Sequence, residues 1–244
     1  NPKNAEATIT AVERGVNFIK NRQCSAICTM PISKSILKEG ANFYFPGHTE
    51  YLAHLDGRNS YGMMLVNKYL RVVPATIHIP VKDITKYLNA ELIEKTIKTT
   101  HQELTNRFSI SNPNIWISGL NPHAGEAGMI GDEEKKFIIP VIRKLESKGY
   151  NLTGPISADT MFYRKKRLKF DAAICMYHDQ ALIPIKTLDF HSSVNLTIGL
   201  SFIRTSPDHG TAFDISGKNL ANPTSTIEAI KLAWKLAKKE KKDR

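Results

Sequence analysis

Cysteine is scarce in this chain, with three in 244 residues: Cys24, Cys28 and Cys175. Their spacing is too irregular for a disulfide framework, and Cys24-x3-Cys28 is wider than the usual zinc or redox pair. Reduced thiols in or near a core are expected, and with them a cytoplasmic setting. Long apolar runs are lacking too. None approaches the roughly 20 residues that a membrane-spanning helix needs, so no membrane partner is expected. The N-terminus NPKNAEATIT carries no basic-then-apolar signal pattern. No Gly-x-Gly-x-x-Gly occurs, which leaves a Rossmann dinucleotide site unsupported. Acidic residues are outnumbered, 23 against 34 Lys and Arg, for a formal charge of +11.

That basic excess collects in Arg164-Lys165-Lys166-Arg167 and in the tail Lys238-Lys239-Glu240-Lys241-Lys242. Neither run is interleaved with the aromatics that stack on bases, so both read as solvated surface and no nucleic-acid partner is expected. A mildly basic site for small anions fits the same charge. The 41% apolar content suffices for one large domain or two small ones sharing a cleft.

Apolar spacing and turn residues predict alternating elements. Residues 5–20 form an amphipathic helix with Ile9, Val12, Val16 and Ile19 on one face. Further helices are expected over 49–55, 89–108, 133–147 and 224–238. Strands are expected over 25–30, 62–66, 71–77, 114–118, 172–176 and 194–197. Strands alternating with helices imply an α/β layered sheet.

Polar residues gather just past the strand ends, where α/β sheets build their clefts. Three apolar strands each run into a histidine: His78, His123 and His178. One such histidine is commonly structural; three from one sheet suit a divalent ion with positions left open for water or substrate. Glu126 and Asp179 stand where a carboxylate could orient a ring or bind substrate. Spacing alone leaves hydrolysis and redox chemistry both open. In Pro46-Gly-His48-Thr49-Glu50 a glycine precedes a helix start, where open backbone N–H groups favour an anion and Thr49 can cap or donate to a ligand. Lys186, Asn195 and Arg204 follow, each near an apolar segment read as strand. A Lys and an Arg in such surroundings are costly without an anion, so they pair with Asp side chains or face a ligand; the ligand is the expectation. Residues 208–223 read as a small-residue loop flanked by His, Asp and Asn.

The stretch 209–223, HGTAFDISGKNLANP, resembles the adenosine-binding loop of the isocitrate and isopropylmalate dehydrogenase superfamily. The full set of motifs more closely resembles the 4-hydroxythreonine-4-phosphate dehydrogenase family of pyridoxal phosphate biosynthesis. Its matching stretches lie at 46–50, 76–80, 119–126, 154–160, 176–180, 194–200 and 202–212, in order over essentially the whole chain. The resemblance implies a three-layer α/β/α fold of the isocitrate/isopropylmalate dehydrogenase type, with two subdomains flanking a cleft. Residues 1–40 with 190–244 would form the cofactor side, and 41–189 the metal, substrate and dimerisation side.

By the same carry-over, His78, His123 and His178 bind a divalent metal, zinc before magnesium or cobalt. His48, Thr49, Lys186, Asn195 and Arg204 contact a small phosphorylated substrate, with Lys186 as the catalytic residue, handling a proton or binding a carboxylate. His209, Gly210, Thr211, Asp214 and Asn222 receive the adenosine end of NAD or NADP. The implied assembly is a homodimer with metal ligands from both subunits. The implied reaction oxidises the C3 hydroxyl of 4-phosphohydroxy-L-threonine and decarboxylates the product to 3-amino-2-oxopropyl phosphate. A dehydrogenase of phosphorylated threonate or erythronate would share nearly every motif. A metal-binding remnant without catalysis is the alternative from another class, and a zinc hydrolase is argued against by the adenosine loop. Members of the family open with a Gly-(Asp/Glu)-Pro-Ala-Gly-Ile-Gly-Pro-Glu stretch that this chain, which has no initiator Met, does not contain. A truncated product or a fragment of a longer chain is the expectation.

Overall fold

Helix α1 (Ala5–Lys20) follows the predicted periodicity, burying Val12 and Val16 and half-burying Ile9 and Ile19. These are positions one helical face presents to a core. The computed structural model describes residues 1–240; Lys241 and Lys242 of the basic tail lie outside them. After α1 come β1 (Ala26–Cys28), α2 (Lys34–Ala41), α3 (His48–Asp56), β2 (Gly62–Val66) and β3 (Arg71–Pro74). The middle of the chain supplies α4 (Ile84–Tyr87), α5 (Ala90–Asn106), β4 (Ile115–Ser118), α6 (Ile139–Glu146), β5 (Leu152–Ile156) and α7 (Arg164–Arg167). It closes with β6 (Ala172–Cys175), α8 (His178–Leu188), β7 (Val194–Ile198), β8 (Ile203–Pro207) and α9 (Thr224–Glu240).

The chain divides into two units, 1–61 with 191–244 and 62–190. In the first, the strands lie in the order β1-β8-β7, with β1 parallel and β7 antiparallel to β8. Helix α9 packs on these strands through Ala229, Ala233 and Leu236. A separate apolar cluster joins Val12 and Val16 of α1 to Leu37 of α2, Leu52 of α3, Phe43 and Phe202. That cluster corrects the expected boundary at residue 40. Residues 41–61 belong with the first unit, because Phe43, Tyr51, Leu52 and Ala53 are buried against α1.

The second unit carries the order β2-β3-β6-β4-β5, parallel except for the β2–β3 pair. Side chains alternate across a strand, and here both sets are buried. Val72, Trp116, Ala173 and Cys175 meet Ala181, Leu182 and Ile185 of α8. Ile115, Ile117 and Ile174, one residue out of step, are fully buried on the side where α5 and α6 pack. Helices on both faces of a sheet are the three-layer arrangement expected.

Several predicted bounds change. The strand placed over 71–77 ends at Pro74 and that over 25–30 shrinks to Ala26–Cys28. The helix expected over 133–147 opens with a π turn, Glu134–Ile138. Helices α2, α4, α7 and α8 and strand β5 lie outside the predicted elements, and β8 takes in the apolar segment beside Arg204 for which the sequence predicts no bounds. In α8, apolar residues are interrupted by Pro184 and its face is broken by Lys186, so neither period stands out.

Replacing Ile174 by Ala, at a fully buried strand position, should lower stability by about 2–5 kcal/mol. Urea denaturation checks this; a loss below about 1 kcal/mol would contradict the packing of β6.

Candidate active site

Strands β3, β6 and β4 are adjacent and parallel, so their C-terminal ends share one edge of the second unit. The loops that follow carry His78, His178 and His123. The β3–β6 ladder continues beyond both strands. Ala75 N–H donates to the Cys175 carbonyl at 2.7 Å, and Thr76 donates to the Met176 carbonyl from both its N–H (3.2 Å) and its hydroxyl (2.7 Å). His78 then turns out in the left-handed region, φ +52°, and His178 opens α8. Their rings face each other with centroids 5.8 Å apart and planes 42° to one another. Thr76, His78, Val81, Tyr177, His178 and Asp179 line a cavity of about 210 Å³ beside them.

Two imidazoles at that spacing fit a shared divalent ion, whose bonds to ring nitrogen are about 2.0–2.1 Å. His178 Nδ1 lies 2.7 Å from Asp179 Oδ1, which leaves Nε2 of this ring for a ligand. Gln180 braces the same corner. Its Oε1 accepts from the Ser118 hydroxyl and the Met176 N–H, both at 2.7 Å, while its Nε2 donates to the Gly119 carbonyl at 2.8 Å. Gln180 ends the 176–180 motif, and its place in the first turn after a strand end is the signal in the sequence that points to this task.

His123 does not join the pair. Among the described residues no three His, Cys, Asp or Glu side chains are grouped to hold a metal ion. His123 is exposed and begins an unusual segment: His123, Ala124, Gly125, Glu126 and Ala127 all have positive φ, between 40° and 78°. Left-handed backbone costs a non-glycine residue about 1–2 kcal/mol, so this turn must be held from outside. The Asp159 carboxyl, held below the usual carboxylate range chiefly by the Ser157 hydroxyl, also feels His123.

The first unit gathers a different set. Gly47, not Thr49, occupies the cap position of α3, and no side chain caps the helix; Thr49 lies in its first turn. Burial pushes the His48 imidazole down to about 3, with the charge of Arg204 adding to the effect. His48 is therefore neutral near pH 7. Arg204 is 4% exposed. Its three guanidinium nitrogens donate to hydroxyls, two to Thr29 (3.1 and 2.8 Å) and one to Thr197 (2.8 Å). Burial lowers its pKa to about 10, leaving it charged. The anticipated choice between an Asp partner and a ligand was incomplete, since threonine hydroxyls also hold this cation. Asn195 and Thr197 share a face of β7, and Thr197 is the register partner of Arg204. Next to this cation, His48 Nε2 and Asn195 Oδ1 are buried polar atoms with no hydrogen-bond partner. Such atoms cost about 1–3 kcal/mol each unless something binds them.

Lys186 lies on α8 rather than near a strand, its ammonium 5.4 Å from the Phe190 ring centroid. The loop expected to take the cofactor is exposed from His209 to Asn222 except at Ile215. His209 Nδ1 approaches the Gly210 carbonyl at 2.8 Å, and Thr211 follows in the same open segment. Asp214 lies in a short turn, Phe213–Ile215. Asn222 Oδ1 accepts from Thr224 N–H at 3.0 Å, at the start of α9.

A family model described as "Pyridoxal phosphate biosynthetic protein PdxA" matches residues 1–233. The chain belongs to the PdxA family. It is 52% identical over 237 residues to the 4-hydroxythreonine-4-phosphate dehydrogenase of Ruegeria sp. (strain TM1040), covering 97% of this chain and 73% of that protein. The crystal structure of the 4-hydroxythreonine-4-phosphate dehydrogenase from Klebsiella pneumoniae superposes with TM-score 0.89 at 37% identity, over 97% of this chain and 72% of that one. A terephthalate 1,2-cis-dihydrodiol dehydrogenase from Burkholderia xenovorans LB400 superposes with TM-score 0.72 at 29% identity, over 96% and 74%. Among the described residues no helix is long and apolar enough to cross a membrane.

Unfolded His48 takes a proton near about 6.5, whereas the folded residue resists it down to about 3. The unfolded chain thus binds more protons across that window, and stability contributed by neutral His48 is lost as pH falls through it. Melting followed from pH 7 to pH 4 should show a smaller acid loss for His48→Gln than for the unaltered chain. Equal losses would contradict the burial of this ring.

Proposed function

We propose that this PdxA-family chain oxidises 4-phosphohydroxy-L-threonine at its C3 hydroxyl with NAD or NADP and then decarboxylates the product. The facing His78–His178 pair carries the reading, since it lies at the sheet edge of a chain half identical to named dehydrogenases of that substrate. Hydride leaves C3 for the nicotinamide and the hydroxyl proton leaves to a base. The resulting β-keto acid loses CO2, and a proton adds at C2 to give 3-amino-2-oxopropyl phosphate.

A divalent metal, zinc first, would be held by His78 and His178, with His123 supplied by a second copy of the chain in a homodimer. When bound, the metal acidifies the hydroxyl and stabilises negative charge on the oxygen at C3. The exposure of His123 and, six residues on, of Met129 (83%) supports a partner over this turn. Arg204 supplies a fixed positive charge for an anionic substrate, and His48, Asn195 and Thr49 offer hydrogen-bonding groups. Lys186 binds the carboxylate or moves the proton at C2. His209, Gly210, Thr211, Asp214 and Asn222 receive the adenosine end of the cofactor, where an open loop permits close backbone approach. A cytoplasmic setting belongs to this reading and is supported by three unpaired thiols.

Mixing chain, zinc, NAD or NADP and 4-phosphohydroxythreonine should produce NAD(P)H absorbance, and His178→Ala should reduce it to background. No absorbance with zinc bound would overturn the reading in favour of a metal-binding chain without this activity. Absorbance with phosphorylated threonate or erythronate instead would reassign the substrate. Asn195→Ala should raise KM about ten- to a hundredfold, the loss of one hydrogen bond to a charged substrate, about 1.5–3 kcal/mol. An unchanged KM would remove Asn195 from the substrate site.

A further inference from the structure

The left-handed turn at His123–Ala127 needs an external support, and a buried carboxylate supplies it. Glu134 is 2% exposed and stands at the start of the π turn that precedes α6. Its Oε1 accepts from the N–H groups of Leu120 and Asn121, both at 2.8 Å, and its Oε2 accepts from Asn121 Nδ2 at 2.9 Å. Leu120 and Asn121 are the residues that lead into the turn. The same carboxylate packs on the turn itself, since a Cβ on Gly125 would lie 2.5 Å from Glu134 Oε2. Gly125 has φ +78°, a conformation glycine adopts without penalty. A second brace comes from Glu133, whose Oε2 accepts from Asn121 Nδ2 at 2.7 Å.

We propose that Glu134 is the positioning residue for His123, holding the left-handed turn so that the imidazole is presented to the metal. The inference rests on the reading of His123 as a metal ligand. Glu134 is buried against the backbone at Leu120, Asn121 and Gly125, so it acts through the turn that carries His123. A glutamine cannot replace it. Facing Leu120 and Asn121 with its carbonyl, it sets its NH2 against the Asn121 NH2; turned over, it sets the NH2 against two backbone N–H groups.

The test is zinc affinity of the full chain by chelator competition, with melting and far-UV circular dichroism on the same samples. His123→Ala should lose zinc, which checks the underlying reading. Glu134→Gln should weaken zinc binding about ten- to a hundredfold, the range for residues that orient metal ligands, while the spectrum is unchanged. Undiminished zinc affinity in Glu134→Gln, with His123→Ala defective, would overturn the role of Glu134 and leave the metal reading intact. Undiminished affinity in His123→Ala would overturn both. Should Glu134→Gln fail to fold, Asn121→Ala keeps the carboxylate and its two backbone bonds but removes the side-chain tether. Several-fold weaker zinc binding in Asn121→Ala supports the proposal, and wild-type affinity overturns it.

Discussion

The parallel register of β3 against β6 is the constraint on which the second unit's chemistry depends. Val72, Val73 and Pro74 pair with Ala173, Ile174 and Cys175, and the ladder runs on through Ala75 and Thr76. A one-residue slip of β6 would turn every one of its side chains to the opposite face. It would remove Ala173 and Cys175 from the layer under α8 and shift His178 away from His78. The burial of both faces of the sheet therefore specifies the spacing of the two rings. Packing energy, distributed over many apolar side chains, sets the position of two polar ones.

The first unit works by a different economy of charge. Arg204 is buried with its hydrogen bonds going to threonine hydroxyls, and the charge of Glu50 favours its protonated form. Burial and the Arg204 charge keep His48 neutral. Unsatisfied atoms on His48 and Asn195 stand near a cation, an arrangement that favours an anion carrying several hydrogen-bonding groups.

Much was legible in the residues. The helical spacing in α1, α5 and α9 follows their buried faces closely, because amphipathic helices on a sheet leave a 3.6-residue trace. Strands β2, β4, β6 and β7 were visible as short apolar runs stopped by turns. Others were not. Helix α8 is apolar on two sides of Pro184, and β8 (Ile203–Pro207) hides three polar residues, Arg204, Thr205 and Ser206, whose burial depends on partners distant in the chain. Thr205, for instance, donates to the Ala229 carbonyl of α9. Likewise Glu134 reads as one acid among Glu133, Lys135 and Lys136, and only folding brings it to Leu120 and Asn121.

The chain's own order of residues determined the α/β class, the placement of three histidines beyond strand ends and, through its run of motifs, the family. Those features are local: periodicity, turn residues and short motifs carry them without reference to distant parts of the chain. Tertiary structure decided which histidines meet. It also decided that 41–61 packs with the first unit, that hydroxyls hold Arg204, and that a left-handed turn carries His123. Each of these depends on contacts between residues far apart in sequence, where burial and hydrogen-bond geometry, rather than residue type, settle the outcome.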